Sequence, residues 1–564
     1  MDYEGENSLE DNYDDVLSDV PDDCDLEETS DSDTESVDSD ISTGVRKRRR
    51  VMPLPSYSEE SYEEMHSDWT EFDKTINNNE AFRGTPGPTV FPIDTSMVDE
   101  FADMFIGNDL FEFIATETNR YHAQNCGKHK QQKNSAKWFD VTVAELKKWF
   151  ALTIIMGLVK KPRMEDHWST NPLIETPIFS KTMSRNRFRQ ILTYIHFANN
   201  ANMPPDGNRL FKVQYLIDYF SKKFEENFNL SQNICIDEGM IPCRGRLMFK
   251  TYNLSKITKY GILIGMLCDS ASGYISSFTL YCGVGQSLNT TIMELLRRSF
   301  GKWHHLYMDN LYNSVALAKE LLLKQIRVCG TIRLDRGLPD SLKNTKLKRS
   351  ESLFKRQGEI LLQFWQILKN RVVRMISTIH NAEFVDTGKI CRKTDRPIQK
   401  PRCIIDYNQH MKGVDRADQY LSYYPIFKKT LKWSKKVALY LFNCSLFNAF
   451  TVHRHMNVSC GKTLAFRDFL LHIARYWIQD TDTEGNFENP TTSTHHHDPL
   501  HRLSGNLKYH QLIPIFPTNK RKRRRCHVCY LHRTRKTTRL MCKTCKVALY
   551  LGNCFATYHQ KKKY

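Results

Sequence analysis

No run of 18 or more apolar residues occurs in this 564-residue chain, so no segment reads as a membrane-spanning helix. The N-terminus lacks a basic start followed by an apolar stretch, and a secretory signal is not expected. Lysine and arginine are absent from residues 1–45, which hold 18 Asp or Glu. No internal repeat is found. Paired cysteines are missing from most of the chain. Of the 16 cysteines, eleven are scattered singly, as free thiols in a reducing compartment would be.

What is present is first a charge contrast. The whole-chain net charge of +17 is the sum of that 18-fold negative start and a remainder carrying +35. A body that basic expects a polyanion, nucleic acid above all. The alternative is a soluble protein that is merely basic. Against it, the basic residues recur inside apolar, structured-looking segments. Hydrophobic residues make up 40% of the chain, enough for two to four globular domains.

Composition divides the chain. Residues 1–94 read as an acidic, disordered arm, interrupted by the basic Val45–Arg50. That basic run is either a nuclear import signal or a partner of the acidic tract. Residues 95–231 repeat apolar residues at spacings of three and four, as helices do. One helix, capped at Ser184, carries Arg185, Arg187 and Arg189, which either contact phosphates or form a solvated face. From residue 232 the pattern turns to short β-type runs. "NICIDEGM" ends on Asp237, and "YGILIGMLCDSASGYISSFTLYCG" is two strands joined at Ser270–Gly273. "HHLYMDN" ends on Asp309, with a helix expected over Asn310–Leu323. Residues 335–402 are polar and basic with strands "EILLQFWQI" and "VVRMISTIH". Helices resume beyond residue 408, and residues 480–525 read as a basic linker. His495–His497 there read as loop rather than metal site.

Three carboxylates share a setting. Asp237 and Asp309 end strands, and Asp415 opens a helix. Phosphodiester cleavage by two Mg²⁺ ions about 4 Å apart needs carboxylates converging from separate elements. An Asp at an element end is also a common cap, so spacing alone leaves both readings open. Asp418, one turn after Asp415, is a further ligand or plain helix-start charge. Glu238 is a supporting group or a bystander.

Five cysteines lie in the last 39 residues. Cys526-x2-Cys529 and Cys542-x2-Cys545 have zinc-knuckle spacing. In so short a segment the metal must supply much of the folding energy, so zinc-dependent folding is expected over 520–564. The flanking Lys520–Arg525 and Lys561–Lys563 suit phosphate contact and nuclear import.

Several long motifs together resemble the piggyBac family of DNA transposases. They include "CIDEGMIPCRGRLMFKTYNLSKITKYGILIGMLCDSASGY", "HLYMDNLYNSVALAKELL", "CGTIRLDRGLP", "IDYNQHMKGVDRADQYLSYY" and the tail "CHVCYLH…CKTCKVALYLGNCFATYH". They run in family order from about residue 100 to the end. The resemblance implies a multidomain α/β protein with an RNase H-like catalytic core at 232–334 and 403–425, and an insertion domain at 335–402. It implies a mostly helical dimerisation and DNA-binding domain at 95–231 and 426–479, and a cysteine-rich zinc domain at 526–564. It implies catalysis by Asp237, Asp309 and Asp415 on two Mg²⁺, with Asp418 associated. The transposon ends are expected to be cut through hairpins and joined at TTAA by a nuclear homodimer bound to double-stranded DNA. No membrane partner is expected. Arg333, Arg336 and Trp433 match DNA-approaching positions, although Asp335 stands where Asn is usual. One or two Zn²⁺ are implied, held by Cys526, Cys529, His532, Cys542, Cys545, Cys554 and His559. Tyr550 takes the place of a family ligand, which leaves seven of eight. A host-adopted or decayed relative that binds DNA without cutting it is the alternative. A chromatin-binding scaffold is a third reading, disfavoured by the three retained Asp residues.

Overall fold

The computed structural model describes residues 69–73, 80–92, 97–126, 137–479 apart from short breaks, 503, 510–515 and 524–561 apart from three positions. The acidic tract, Val45–Arg50, His495–His497 and most of Lys520–Arg525 lie outside the described residues. Two compact units divide the chain, residues 1–474 and 475–564.

Unit 1 opens with a two-residue strand, β1 (Gly87–Pro88), paired with β2 (Phe228–Asn229). Between them lie α1 (Val98–Phe105), α2 (Asn108–Asn125), α3 (Val143–Leu158), α4 (Pro177–Thr182), α5 (Arg185–Tyr194) and α6 (Gln214–Asn227). Thr142 caps α3 by accepting from the Glu145 amide, and Ser184 caps α5 by accepting from the Arg187 amide. The apolar faces of these helices meet α12 (Trp433–Asn457) in a largely aromatic core. There Phe150 stacks on Phe442 at 4.2 Å, and Phe220 meets the same ring edge-on at 5.3 Å. Arg187 is not free for phosphate. Its guanidinium forms two 2.6 Å bonds to the Glu145 carboxylate and one to the Phe139 carbonyl.

The rest of unit 1 is built on one sheet of nine strands. In chain order these are β3 (Asn233–Pro242), β4 (Thr251–Tyr252), β5 (Tyr260–Asp269), β6 (Ile275–Leu280), β7 (His304–Met308), β8 (Ile326–Thr331), β9 (Ser352–Gln357), β10 (Ile360–Leu368) and β11 (Arg371–Ser377). Their order is β4-β5-β3-β7-β8-β11-β10-β9, with β6 also on β5. β3 runs antiparallel to β5 and parallel to β7, and β7 runs parallel to β8. Helices α7 (Leu288–Leu296) and α8 (Val315–Leu323) pack their leucines on one face, with Ile234, Ile236, Leu306 and Val328 of the strands. α9 (Asp340–Lys343) follows. A hairpin, β12 (Phe384–Ile390) and β13 (Pro397–Pro401), leads into α10 (Arg402–His410), α11 (Gly413–Tyr423), α12 and α13 (Phe466–Gln479). The unit boundary falls within this last helix.

Three expectations are corrected here. Residues 69–73 and 80–92 are part of the body rather than of a disordered arm. Thr70 bridges to Arg356 of β9, Asp73 and Glu71 pair with Arg356 and Lys355, and Glu80 pairs with Arg327. The acidic residues that suggested disorder are what attach the segment to buried arginines. Residues 335–402 place three strands in the main sheet, because β11 continues it antiparallel to β8. Asp237 sits inside β3, not at its end, since β3 keeps its pairing with β5 as far as Pro242.

Unit 2 is small. β14 (Leu512–Pro514) pairs with β17 (Leu540–Cys542), and β15 (Arg524–Arg525) pairs with β16 (Thr537–Thr538). Helices α14 (His527–Leu531) and α15 (Asn553–Gln560) complete it. Among the described residues, its apolar core cluster has eight members, four of them cysteines.

Candidate active site and metal-binding groups

Asp237 and Asp309 follow the last register pair of two parallel neighbours, Ile236 and Met308. Asp237 is therefore the next residue of β3, and Asp309 is the first residue past the end of its neighbour β7. β7 stops there while β3 continues, so Asp237 stands where the β7 side of β3 opens. Asp309 is not the cap of α8, which begins only at Val315 with Ser314 as its cap. Instead the Asp309 carboxylate accepts from the Leu311 amide at 2.8 Å and closes a turn. Asn313 fastens that turn by donating to the carbonyls of Met308, Asp309 and Thr331 at 2.9, 3.1 and 3.0 Å. A Cβ on Gly330 would lie 2.4 Å from the Asn313 amide nitrogen and 1.9 Å from the Met308 carbonyl oxygen, so only glycine fits. Neither Asn313 nor Gly330 stood out in the sequence.

α11 packs on β3 and β5. Gly413 starts it so close that a Cβ would lie 2.5 Å from the Cys235 sulfur and 2.8 Å from the Asp269 carbonyl. Asp415 is in its first turn and exposed. Asp418, one turn on, reaches Gly239, whose Cβ would sit 3.2 Å from its Oδ1. Gly239 shares a strand face with Asp237 by the two-residue alternation. Tyr440 donates to Asp418 at 3.4 Å. Among the described residues, no three of these carboxylates gather within 4.8 Å, the spacing that two Cys/His groups do meet.

Negative charge is concentrated around Asp237 and Asp309. Burial first, then the Asp237 charge, push the Glu238 carboxyl up to about 8, and Asp309 adds to this while a Tyr312 hydrogen bond opposes it. Tyr407 is pushed up by burial and by Asp309 and Asp237. Oxygen ligands of this kind suit Mg²⁺. Arg333 and Arg336 lie beside the Asp309 turn, bonded to the Asn310 side chain at 3.1 Å and the Leu311 carbonyl at 3.4 Å. Asp335 between them is exposed. Trp433 is half-buried and meets Phe249 edge-on at 5.5 Å.

In unit 2 the ligand set differs from expectation. His510, Cys542, Cys545 and His559 form one group, and Cys526, Cys529 and Cys554 another. The order along the chain interleaves them, so each group ties both halves of the unit together. Tetrahedral zinc requires S–N edges of about 3.6 Å and S–S edges of about 3.8 Å. His510 Nδ1 lies 3.6 Å from the Cys542 sulfur and 3.5 Å from that of Cys545, and the Cys529 and Cys554 sulfurs are 3.5 Å apart. These groups are consistent with zinc. His532 is exposed at the end of α14 and belongs to neither group. Tyr550 contributes its backbone, donating its amide to the Cys526 sulfur at 3.2 Å. His510 escaped sequence reading because it lies 16 residues before the first knuckle, inside the stretch read as linker.

The family model described as Transposase IS4 matches residues 100–450, and the chain belongs to that transposase family. Within it the similarity is to piggyBac proteins. Human "PiggyBac transposable element-derived protein 3" is 25% identical over 568 residues, spanning 96% of this chain and 89% of the relative. Human "PiggyBac transposable element-derived protein 2" is 25% identical over 76% of this chain and 71% of its own length. A cryo-EM structure of a piggyBac transposase synaptic complex with hairpin DNA shares the fold, with a TM-score of 0.61 at 23% identity, over 82% of this chain and 100% of that one.

Proposed function

We propose that the chain is a cut-and-paste DNA transposase with an RNase H-like core and a Mg²⁺-dependent active site at Asp237, Asp309 and Asp415. The observation that carries this reading is Asp237 on β3 next to Asp309 at the end of the parallel strand β7, with α11 packed on the same sheet. The order β5-β3-β7-β8, antiparallel then parallel, supports the core assignment. Two Mg²⁺ ions, when bound, supply Lewis-acid stabilisation of the attacking and leaving oxygens. The chain's own part is to hold the carboxylates rigid. Asn313 fixes the Asp309 turn, and Gly413 seats the helix that brings Asp415. Arg333 and Arg336 beside that turn offer positive charge to a backbone phosphate.

The finer reading is cleavage of terminal repeats through hairpins, joining at TTAA, a homodimer and a nuclear location. It rests on the piggyBac relationship, and the basic body supports the DNA partner. A host-adopted protein that binds without cutting is the second reading. The human relatives' printed names, "transposable element-derived", favour it.

The test is excision of a reporter flanked by the element's own ends and TTAA. Wild type is expected to excise, and Asp309→Ala to lose about a thousandfold or more of that activity while binding the ends. Excision by Asp309→Ala at the wild-type level would remove Asp309 from the site. Binding without excision by wild type would establish the second reading.

A further inference from the structure

At the far end of α11 from Asp415 lies a cleft that no part of the proposed chemistry uses. Its volume is about 460 Å³, within the range of small-ligand sites. Tyr420, Tyr423 and Tyr424 form one wall, and Phe450 and Phe466 the floor. Phe466 is 4% exposed and meets Tyr420 edge-on at 5.5 Å, Tyr424 at 6.1 Å and Phe450 at 5.0 Å. The floor is therefore a fixed aromatic lattice. Tyr423 differs, because half of it is exposed. Gln419 donates to its hydroxyl at 2.7 Å, and the exposed half of the side chain is open to a ligand.

Charge at the rim is of one sign. Arg454 and Arg467 line the cleft and both are exposed. Arg467 pairs only with its neighbour Asp468, at 3.3 Å, and Arg454 has no ion-pair partner among the described residues. Among the described residues, no acidic side chain lines the cleft. An aromatic wall with guanidinium groups at its edge matches a base carrying its phosphate: the ring stacks and the arginines take the charge.

We infer that this cleft binds an unpaired nucleobase of a DNA strand passing the active site. The inference rests on the transposase reading and deepens it. A base within a duplex has both faces covered by its neighbours, so only an extruded or single-stranded base can stack on Tyr423. Tyr423 follows Asp415 by eight residues on one helix, about 12 Å along its axis. That is the length of about three stacked bases along one strand. The cleft would therefore hold a base a few nucleotides from the reacting phosphate, and keep the strands apart there.

The test uses the full-length protein in EDTA, so that no cutting occurs, and an oligothymidylate of about ten nucleotides with a central 2-aminopurine. Anisotropy reads affinity, and quenching of 2-aminopurine reads stacking. Tyr423→Ala is expected to weaken binding about 5- to 100-fold and abolish the quench, while Tyr423→Phe keeps both. Arg454→Gln is expected to weaken binding, lower the salt slope by about one and leave the quench at saturation intact. Unchanged affinity and quench in Tyr423→Ala would overturn the inference. So would a Tyr423→Ala protein whose only change is in sedimentation mass, which would give the cleft to a second protein chain. A wild-type protein that quenches yet never excises would leave the cleft in place and remove the cutting reading.

Discussion

Gly413 shows how a single missing side chain can position the carboxylate proposed to hold metal. Its α-carbon is pressed between the Cys235 sulfur and the Asp269 carbonyl, both closer than 3 Å to where a Cβ would stand. Neither neighbour can yield, since Cys235 is fully buried in β3 and Asp269 is tied into its own turn by the Ser231, Ala271 and Ser272 amides. Gly413→Ala must therefore lift the start of α11, and Asp415 with it. A loss of about 1–3 kcal/mol is expected from the overpacking. Metal-dependent strand cutting should fall much further than DNA binding. Calorimetry and a cleavage assay check the pair, and a variant that cuts normally would show that α11 tolerates the shift. At this scale the sequence exposed the charged half of the proposed site. Asp237, Asp309 and Asp415 are conspicuous as carboxylates beside apolar runs. Asn313, Gly330 and Gly413 act through close approach, and nothing in a linear pattern marks which distant atom a glycine makes room for.

Element types were legible where the apolar period was long, as in α3, α12, β5, β10 and β11. Element ends were not. The helix expected from Asn310 begins at Val315, because Asn313 spends its amide on three carbonyls and holds the intervening residues in a turn. The larger miss is the segment over 69–92. Its acidic, polar composition resembles the tract before it, yet its carboxylates meet Arg356 and Arg327, whose side chains are 2% and 4% exposed. Arg356 also donates to the His380 carbonyl, and Asp73 accepts from the Ala382 amide, so the segment joins β9 to the turn after β11. Ion pairs to buried arginines are costly to break on one side, by about 3–5 kcal/mol, because the cation stays behind. Removing residues 1–68 should leave the melting temperature of unit 1 within a degree or two. Removing residues 1–92 should lower it by at least about 5 °C. Equal melting temperatures for the two truncations would show that these pairs contribute nothing net.

For the whole molecule, what matters is that the two units are stabilised by different means. Unit 1 buries an extended apolar core on its sheet and helices. Among the described residues, the apolar core cluster around the cysteines of unit 2 has eight members, half of them cysteines, and a core that small cannot offset the entropy of ordering its chain. The metal-binding tail was legible as two Cys-x2-Cys pairs, but not its wiring. Pairing is set by which segments fold back together, and β14 brings His510 beside Cys542 through a strand only three residues long. With His510 in one group, that group has four ligands without any contribution from Tyr550. The other has three thiols, with room for a fourth ligand supplied by water or by His532 after a local turn. A chelator strong enough to strip zinc should therefore abolish the folded signal of unit 2 and leave the melting of unit 1 unchanged. Native mass spectrometry discriminates the wiring further. Two zincs per chain are expected for wild type, one for His510→Ala, and two for His532→Ala, bound more weakly if that histidine does swing in. Two zincs retained in His510→Ala would return the eighth ligand to the segment around Tyr550 and undo the interleaved arrangement.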